Sequence, residues 1–218
     1  KRQVKANVNN DFSFSSIDRK LVHELLRFSI PLVPTAVMWW IMNASDRYMI
    51  SFFLGVGANG LYSAASKIPN ILSVFENIFY QAWQTSAINA ADSHNRDAFY
   101  SHVFNNYLQF LCIGTMGLLI VSKPIMGMFN EAYFSAWTCL PFLIISIVFH
   151  AISGTLGSIY TVFKNTKGAL YSTVIGATVN ITLNLIAIPK LGINGAALTT
   201  CIGSVSYTHL RAHETSLH

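Results

Sequence analysis

Apolar residues run in long blocks along this chain, broken by short polar stretches, from about Leu25 onward. The blocks predict membrane-spanning helices over about residues 25–54, 61–88, 103–126, 138–162 and 170–188, with a sixth span beginning near Ala196. Each is close to or above the ~20 residues needed to cross a ~30 Å hydrocarbon core. The breaks are turn-like or hydrophilic: "GVGANG", "NAADSHNRDAFYSH", "FNEAYFSAW", "FKNTKGA" and "PKLGINGA". Residues 1–24 are polar and show no apolar period until "LVHELL". They predict a cytoplasmic loop and a short amphipathic lead-in helix on the membrane surface. The first span is long, since about thirty helical residues reach about 45 Å, so it is tilted, kinked or partly outside the core. Pro31 and Pro34 near its start suit a first turn or a kink. The sixth span is cut short: after Gly203 the chain reads "SVSYTHLRAHETSLH", too polar to continue a helix in lipid. That tail resembles adapter-derived read-through. The expected organisation is therefore 1–24 linker and lead-in helix, 25–205 bundle of five spans plus a truncated sixth, and 206–218 non-native tail.

Composition sharpens this into an all-α polytopic membrane bundle. Apolar residues make up 52% of the 218 and charged residues 11%, against about 25% charged in soluble domains. Mean hydropathy is +0.44. The net charge of +5 would suggest nucleic acid in a soluble protein, but no Lys/Arg cluster with interleaved aromatics is present, and nucleic acid is not an expected partner. The basic residues instead report orientation. With the N-terminus cytoplasmic, inside segments hold Lys1, Arg2, Lys5, Arg19, Lys20, Arg27, Arg96, Lys164 and Lys167, and outside segments only Lys123 and Lys190. That asymmetry fits the positive-inside rule. Cys112, Cys139 and Cys201 sit in apolar runs and read as small buried hydrophobes, without a disulfide framework. No phosphate-binding loop, nucleophile elbow or metalloprotease helix appears, so no catalytic residue, cofactor or metal site is expected and the chain does not read as an enzyme. An opening without Met and the abrupt ending read as a fragment of a longer chain.

The chemistry lies in polar residues at membrane depth. A charge at the centre of a bilayer costs at least ~2.5–3.5 kcal/mol, so such residues face a bundle interior or a wet cavity. Asn43, Asp46 and Arg47 form one stripe at helical spacing in the first span. Asp46 and Arg47 point about 100° apart, so each needs a partner elsewhere, and the second span offers Ser63, Lys67 and Asn70 along one side and Glu76, Tyr80 and Gln84 along another, with Gln81 a further pathway candidate. Lys67 and Glu76 fall on opposite faces, and Glu76 has no obvious partner. Two readings stay open: a hydrated substrate or ion pathway in which Arg47 and Lys67 attract an anion while Asp46 or Glu76 exchanges a coupling ion or proton, or interhelical salt bridges that fix the packing. His150 in "VFHAIS" reads as a satisfied core histidine, Trp39 and Trp40 as packing or interface residues, and Gly154 and Gly157 as sites of close helix packing.

The segments "IP" before the first span, "SDRYMI", "FLG", "YSAASKIP", "QAWQ" and the later "IPKLGINGAALTT" resemble the polysaccharide-biosynthesis (O-antigen, Wzx-type) flippases. These belong to the multidrug/oligosaccharidyl-lipid/polysaccharide exporter superfamily. The resemblance covers roughly residues 25–203. It implies the second six-helix bundle of a MATE-like fold, with a missing N-terminal bundle of the same chain as partner. The implied activity is translocation of a lipid-linked (undecaprenyl-pyrophosphate type) oligosaccharide across the bacterial cytoplasmic membrane, among membrane lipids. Asp46 and Arg47 match the family's "DR" and Lys67 its basic residue in the following helix. The alternatives are a cation-coupled drug or peptidoglycan-precursor exporter of the same superfamily, or a membrane-embedded polysaccharide polymerase.

Overall fold

The structure is a computed structural model and describes residues 19–90, 95–129, 131–162 and 166–215. Among them the only regular structure is helical. Nine α-helices follow in order: α1 Arg19–Ser29, α2 Leu32–Leu54, α3 Val56–Ala65, α4 Lys67–Ala90, α5 Arg96–Gly127, α6 Glu131–Phe134, α7 Leu140–Val162, α8 Thr166–Leu191 and α9 Ile193–Thr215, with a 3-10 turn at Ser135–Cys139 before α7. The long first apolar block is resolved by a break at Ile30–Pro31. The amphipathic α1 stands apart, and α2, at 23 residues, spans about 35 Å. Pro31 and Pro34 fall at the start of α2, where the missing N–H groups would be unpaired anyway. Gly55 ends α2 at φ +87 and turns the chain straight into α3.

The second apolar block is split at Ser66 into α3 and α4. Pro69 explains the split: it has no N–H to give the carbonyl of Ala65, and its ring crowds that turn. The flanking bonds Ser66 N to Tyr62 O (2.9 Å) and Asn70 N to Ser66 O (3.2 Å) persist, so the axis bends without ending. Four segments are long and apolar enough to cross a membrane: Val22–Leu54, Arg96–Gly127, Glu131–Ser158 and Leu170–Leu191. The α3–α4 pair and α9 are comparably long but more polar.

The ends of α2, α5 and α8 meet the starts of α3, α7 and α9 at one end of the bundle. There Ile50, Tyr62, Met126, Leu140, Ile144, Ile188 and Ala196 form a buried core. A second cluster, Leu72, Tyr107, Leu111 and Ala151, ties α4, α5 and α7 deeper in, with Phe79 stacked on Tyr107. Trp83 of α4 donates its indole N–H to Ser158 of α7 at 2.7 Å. At the α8–α9 turn, Gly192 takes φ +64, and a Cβ on Gly195 would stand 2.4 Å from the carbonyl oxygen of Ala187. Only glycine lets those two backbones approach so closely. Phe52, Ile113 and Ile120 point outward, as lipid-facing side chains do.

Two expectations are corrected. The sixth helix does not stop after Gly203 but continues to Thr215. Three of the polar residues there face protein rather than lipid: Thr208 donates to the carbonyl of Phe149 at 2.9 Å, and Tyr207 and Arg211 are buried, whereas His209 is exposed. Cys112 is exposed on α5, while Cys139 is buried and Cys201 half-buried. The loop residue Lys164 and the terminal His218 lie outside the described residues.

Candidate functional site

A cavity of about 320 Å³ opens between α2, α4, α7 and α9, and its wall is polar although the helices around it are largely apolar. From α2 it takes Asn43, Asp46 and Arg47; from the α3–α4 bend, Tyr62, Ser66, Pro69 and Asn70; from α4, Ser73, Glu76 and Asn77. Ser146 and His150 of α7 and Thr200 and Ser204 of α9 close the far side. Asp46 lies about 12 Å along α2 from Leu54, well inside the bundle.

Asp46 is the buried anchor of the site, 6% exposed. Its Oδ1 accepts the amide N–H of Asn184 at 2.6 Å, and its Oδ2 accepts the hydroxyls of Thr200 at 2.6 Å and Tyr62 at 3.3 Å. Behind these, Asn184 Nδ2 also reaches Asn180 Oδ1 at 3.2 Å, Thr199 donates to Asn184 Oδ1, and Ser45 donates to Asn180 at 3.5 Å. One carboxylate therefore ties α2 to α3, α8 and α9. All three direct donors are neutral groups, one amide and two hydroxyls, which spreads the charge without cancelling it. Arg47, one residue on, is exposed at the cavity wall and makes no hydrogen bond or ion pair among the described residues.

The second carboxylate, Glu76, is almost fully enclosed: its side chain is 9% exposed and its Oε1 lies 2.8 Å from Nδ1 of His150. This overturns two expectations. Glu76 has a partner, and His150 is not a core residue; 41% of its side chain is open. Trp39 packs on the imidazole in a T-shaped contact with centroids 4.7 Å apart, so it serves the site, whereas Trp40 points outward.

Of the expected site residues, Asn43, Asp46, Arg47 and Glu76 come together around the cavity. Lys67 is exposed, outside the lining and on the face away from Glu76. Gln81 is exposed and Gln84 half-buried; both continue the Asn70–Asn77 face of α4 beyond the cavity. None of the partners expected from the second span bonds Asp46; the one residue of that span that does is Tyr62, and Asn184 and Thr200 come from α8 and α9. Two patterns in the sequence carried this signal unread. Asn180 and Asn184 stand one turn apart in an otherwise apolar span, as do Ser146 and His150. Among the described residues no three of His, Cys, Asp and Glu gather at metal-binding distance.

Comparison with known proteins places this geometry. Two solved structures share the fold: a MOP-superfamily transporter from Pyrococcus furiosus, with TM-score 0.69 at 22% identity over 88% of this chain and 44% of that one, and the lipid II flippase MurJ in an inward closed conformation, with TM-score 0.74 at 21% identity over 98% and 47%. Residues 3–84 match the family model described as polysaccharide biosynthesis protein. Over that segment the chain is similar to the polysaccharide biosynthesis proteins. Among such proteins, a probable low-salt glycan biosynthesis flippase of Haloferax volcanii is 25% identical over 200 residues, 89% of this chain and 42% of that one. An uncharacterised membrane protein of Methanocaldococcus jannaschii is 25% identical over 210 residues, 93% of this chain and 47% of that one. The chain thus spans about half the length of the relatives it matches. Like them it is a multi-pass membrane protein, and those relatives whose names state an activity are flippases or transporters.

Proposed function

We propose that this chain is the second bundle of a flippase that carries a lipid-linked oligosaccharide of undecaprenyl-pyrophosphate type across a bacterial cytoplasmic membrane. The first bundle of the same protein completes the cavity. The N-terminus and α1 lie on the cytoplasmic side, so Gly55, the α6 segment and Gly192 lie outside. Residues 1–24 serve as the linker and 25–205 as the membrane bundle, which α9 extends to Thr215. The carrying observation is the polar cavity in an apolar bundle with Arg47 at its wall and without a hydrogen-bond or ion-pair partner among the described residues. A cation in a wet groove lowers the cost of moving a pyrophosphate through the membrane. The amides and hydroxyls of α4, continued by Gln81 and Gln84, suit a hydrated glycan, while the acyl tail stays in lipid. Asp46 exchanges the coupling ion or proton, and Lys67 adds to the cationic potential near the path.

One observation favours the second reading, a cation-coupled exporter of drugs or peptidoglycan precursors: two carboxylates, Asp46 and Glu76, line the cavity. Each already has partners within the bundle, Asn184, Thr200 and Tyr62 for one and His150 for the other. Arg47 is the group left for an incoming charge, which favours an anionic substrate. The test is Arg47→Ala in the full-length protein. Surface polysaccharide is expected to fall at unchanged membrane abundance, whereas undiminished glycan at full expression refutes the role of Arg47.

A further inference from the structure

We infer that His150 is a specificity-determining residue that accepts a hydrogen bond from a saccharide hydroxyl at the α7 wall of the cavity, with Glu76 as its positioning residue. The inference rests on the reading above that the cavity holds a glycan. It assigns the sugar and the pyrophosphate to different walls: His150 for the first, Arg47 for the second.

The argument begins with the ring nitrogens. Nδ1 of His150 lies 2.8 Å from Oε1 of Glu76. Against an ionised carboxylate Nδ1 carries the proton and donates it, so in the neutral ring Nε2 is left as an acceptor. The ring is held from two sides, by Glu76 on α4 and by the T-shaped contact with Trp39 on α2 at 80° between planes. Such a ring points its free nitrogen in a defined direction, which an ordinary surface histidine does not. Glu76 is 9% exposed, so its charge is spent on the histidine rather than offered to a ligand.

The neighbours define what Nε2 meets. Asn70, Ser73, Asn77, Ser146 and Ser204 share the cavity wall, and each both donates and accepts hydrogen bonds. A hydroxyl-rich, uncharged ligand matches a wall of neutral amides and hydroxyls with one fixed acceptor. An anion does not, because Glu76 stands directly behind the imidazole. A site built to hydrogen-bond a hydroxyl rejects analogues lacking it more strongly than an apolar pocket rejects a missing methylene. His150 therefore contributes discrimination between sugars as well as affinity.

The test uses full-length protein in lipid nanodiscs. Modification of individual histidines by diethyl pyrocarbonate is followed by mass spectrometry, with two probes. One is the neutral oligosaccharide released by mild acid from the lipid-linked pool of the source cells; the other is inorganic pyrophosphate. The oligosaccharide is expected to slow modification of His150 by the factor 1 + [L]/Kd, with His23 and His102 unaffected. Pyrophosphate is expected to leave His150 unchanged while protecting Arg47 from phenylglyoxal. If the oligosaccharide leaves the rate at His150 unaltered, or if pyrophosphate slows it, the inference is overturned. In cells, His150→Phe keeps a ring against Trp39 but removes both nitrogens, and it is expected to lower surface glycan about tenfold, roughly the worth of one hydrogen bond at 1.4 kcal/mol. His150→Gln, which keeps one donor for Glu76 and one acceptor, is expected to restore most of it. Equal loss in both variants at normal membrane abundance also overturns the inference. Deletion of the whole gene separates the two levels: intact surface glycan after deletion removes the flippase reading itself, while glycan lost on deletion with no protection of His150 removes only the inference.

Discussion

At the scale of single residues, Asp46 has two roles that mutation can separate. Its carboxylate satisfies the amide of Asn184 and the hydroxyls of Thr200 and Tyr62 inside the bundle. Asp46→Leu removes the acceptor these groups share; Asn184 keeps Asn180 and Thr200 keeps the carbonyl of Ala196, but the Tyr62 hydroxyl is left without one, at about 1–3 kcal/mol for each group left unsatisfied. We expect a clear fall in the temperature at which the detergent-solubilised protein loses its monodisperse chromatographic peak. Asp46→Asn keeps the shape and one carbonyl acceptor but carries no charge. It is expected to retain most of that thermal stability and still lose transport, if Asp46 exchanges the coupling ion. Equal thermal loss in both variants argues that the residue is structural alone. The Asp46–Arg47 pair was legible in the sequence, because charges inside an apolar block are costly and conspicuous. The partners were not, because Asn and Thr cost little at membrane depth and are common in ordinary helices.

Among elements, backbone turns and close approaches carry the sharpest expectations. Gly55 sits at φ +87 and ψ 168 between α2 and α3, a region essentially reserved for glycine. Gly55→Val costs about 1–3 kcal/mol by strain alone, although nothing lies within 4 Å of a Cβ there. Gly195→Val fails for the opposite reason, since its Cβ would collide with the backbone of Ala187 and force α8 and α9 apart. That variant is expected to lower membrane abundance more than Gly55→Val does, as read by immunoblot of membrane fractions at equal expression. The helices themselves were largely readable from apolar block length. A turn or kink near Pro31 was legible, but the bend at Ser66 was not located, although Pro69 caused it. A proline marks where a helix can yield, and the packing around it decides whether it does.

For the whole molecule, the bundle sorts its faces by chemistry. Ile113 and Ile120 of α5 face outward, while Asn43, Arg47 and Asn77 face the cavity. In a full-length protein freed of its native cysteines, single cysteines at 43, 47 and 77 are expected to react with a membrane-impermeant maleimide, and those at 113 and 120 to stay unreacted in lipid. Fast labelling at 113 or 120 would place water where the fold puts acyl chains. Slow labelling at all three cavity positions in every conformation would leave a sealed bundle with no path through it.

Sequence alone determined the class of this protein, because apolar blocks of membrane length and a shortage of charge are summed properties that survive any arrangement of the helices. It also flagged Asp46, Arg47 and Glu76, since ionised groups in lipid demand an explanation wherever they lie. Only the tertiary structure decided which groups meet. Glu76 and His150 stand 74 positions apart, Asp46 and Thr200 stand 154 apart, and no periodicity along the chain encodes either pairing. The continuation of α9 to Thr215 has the same cause. Polarity along a chain reports what a helix can afford to show to lipid, but a polar residue turned toward its neighbours escapes that rule, and the turning is a property of the packed bundle.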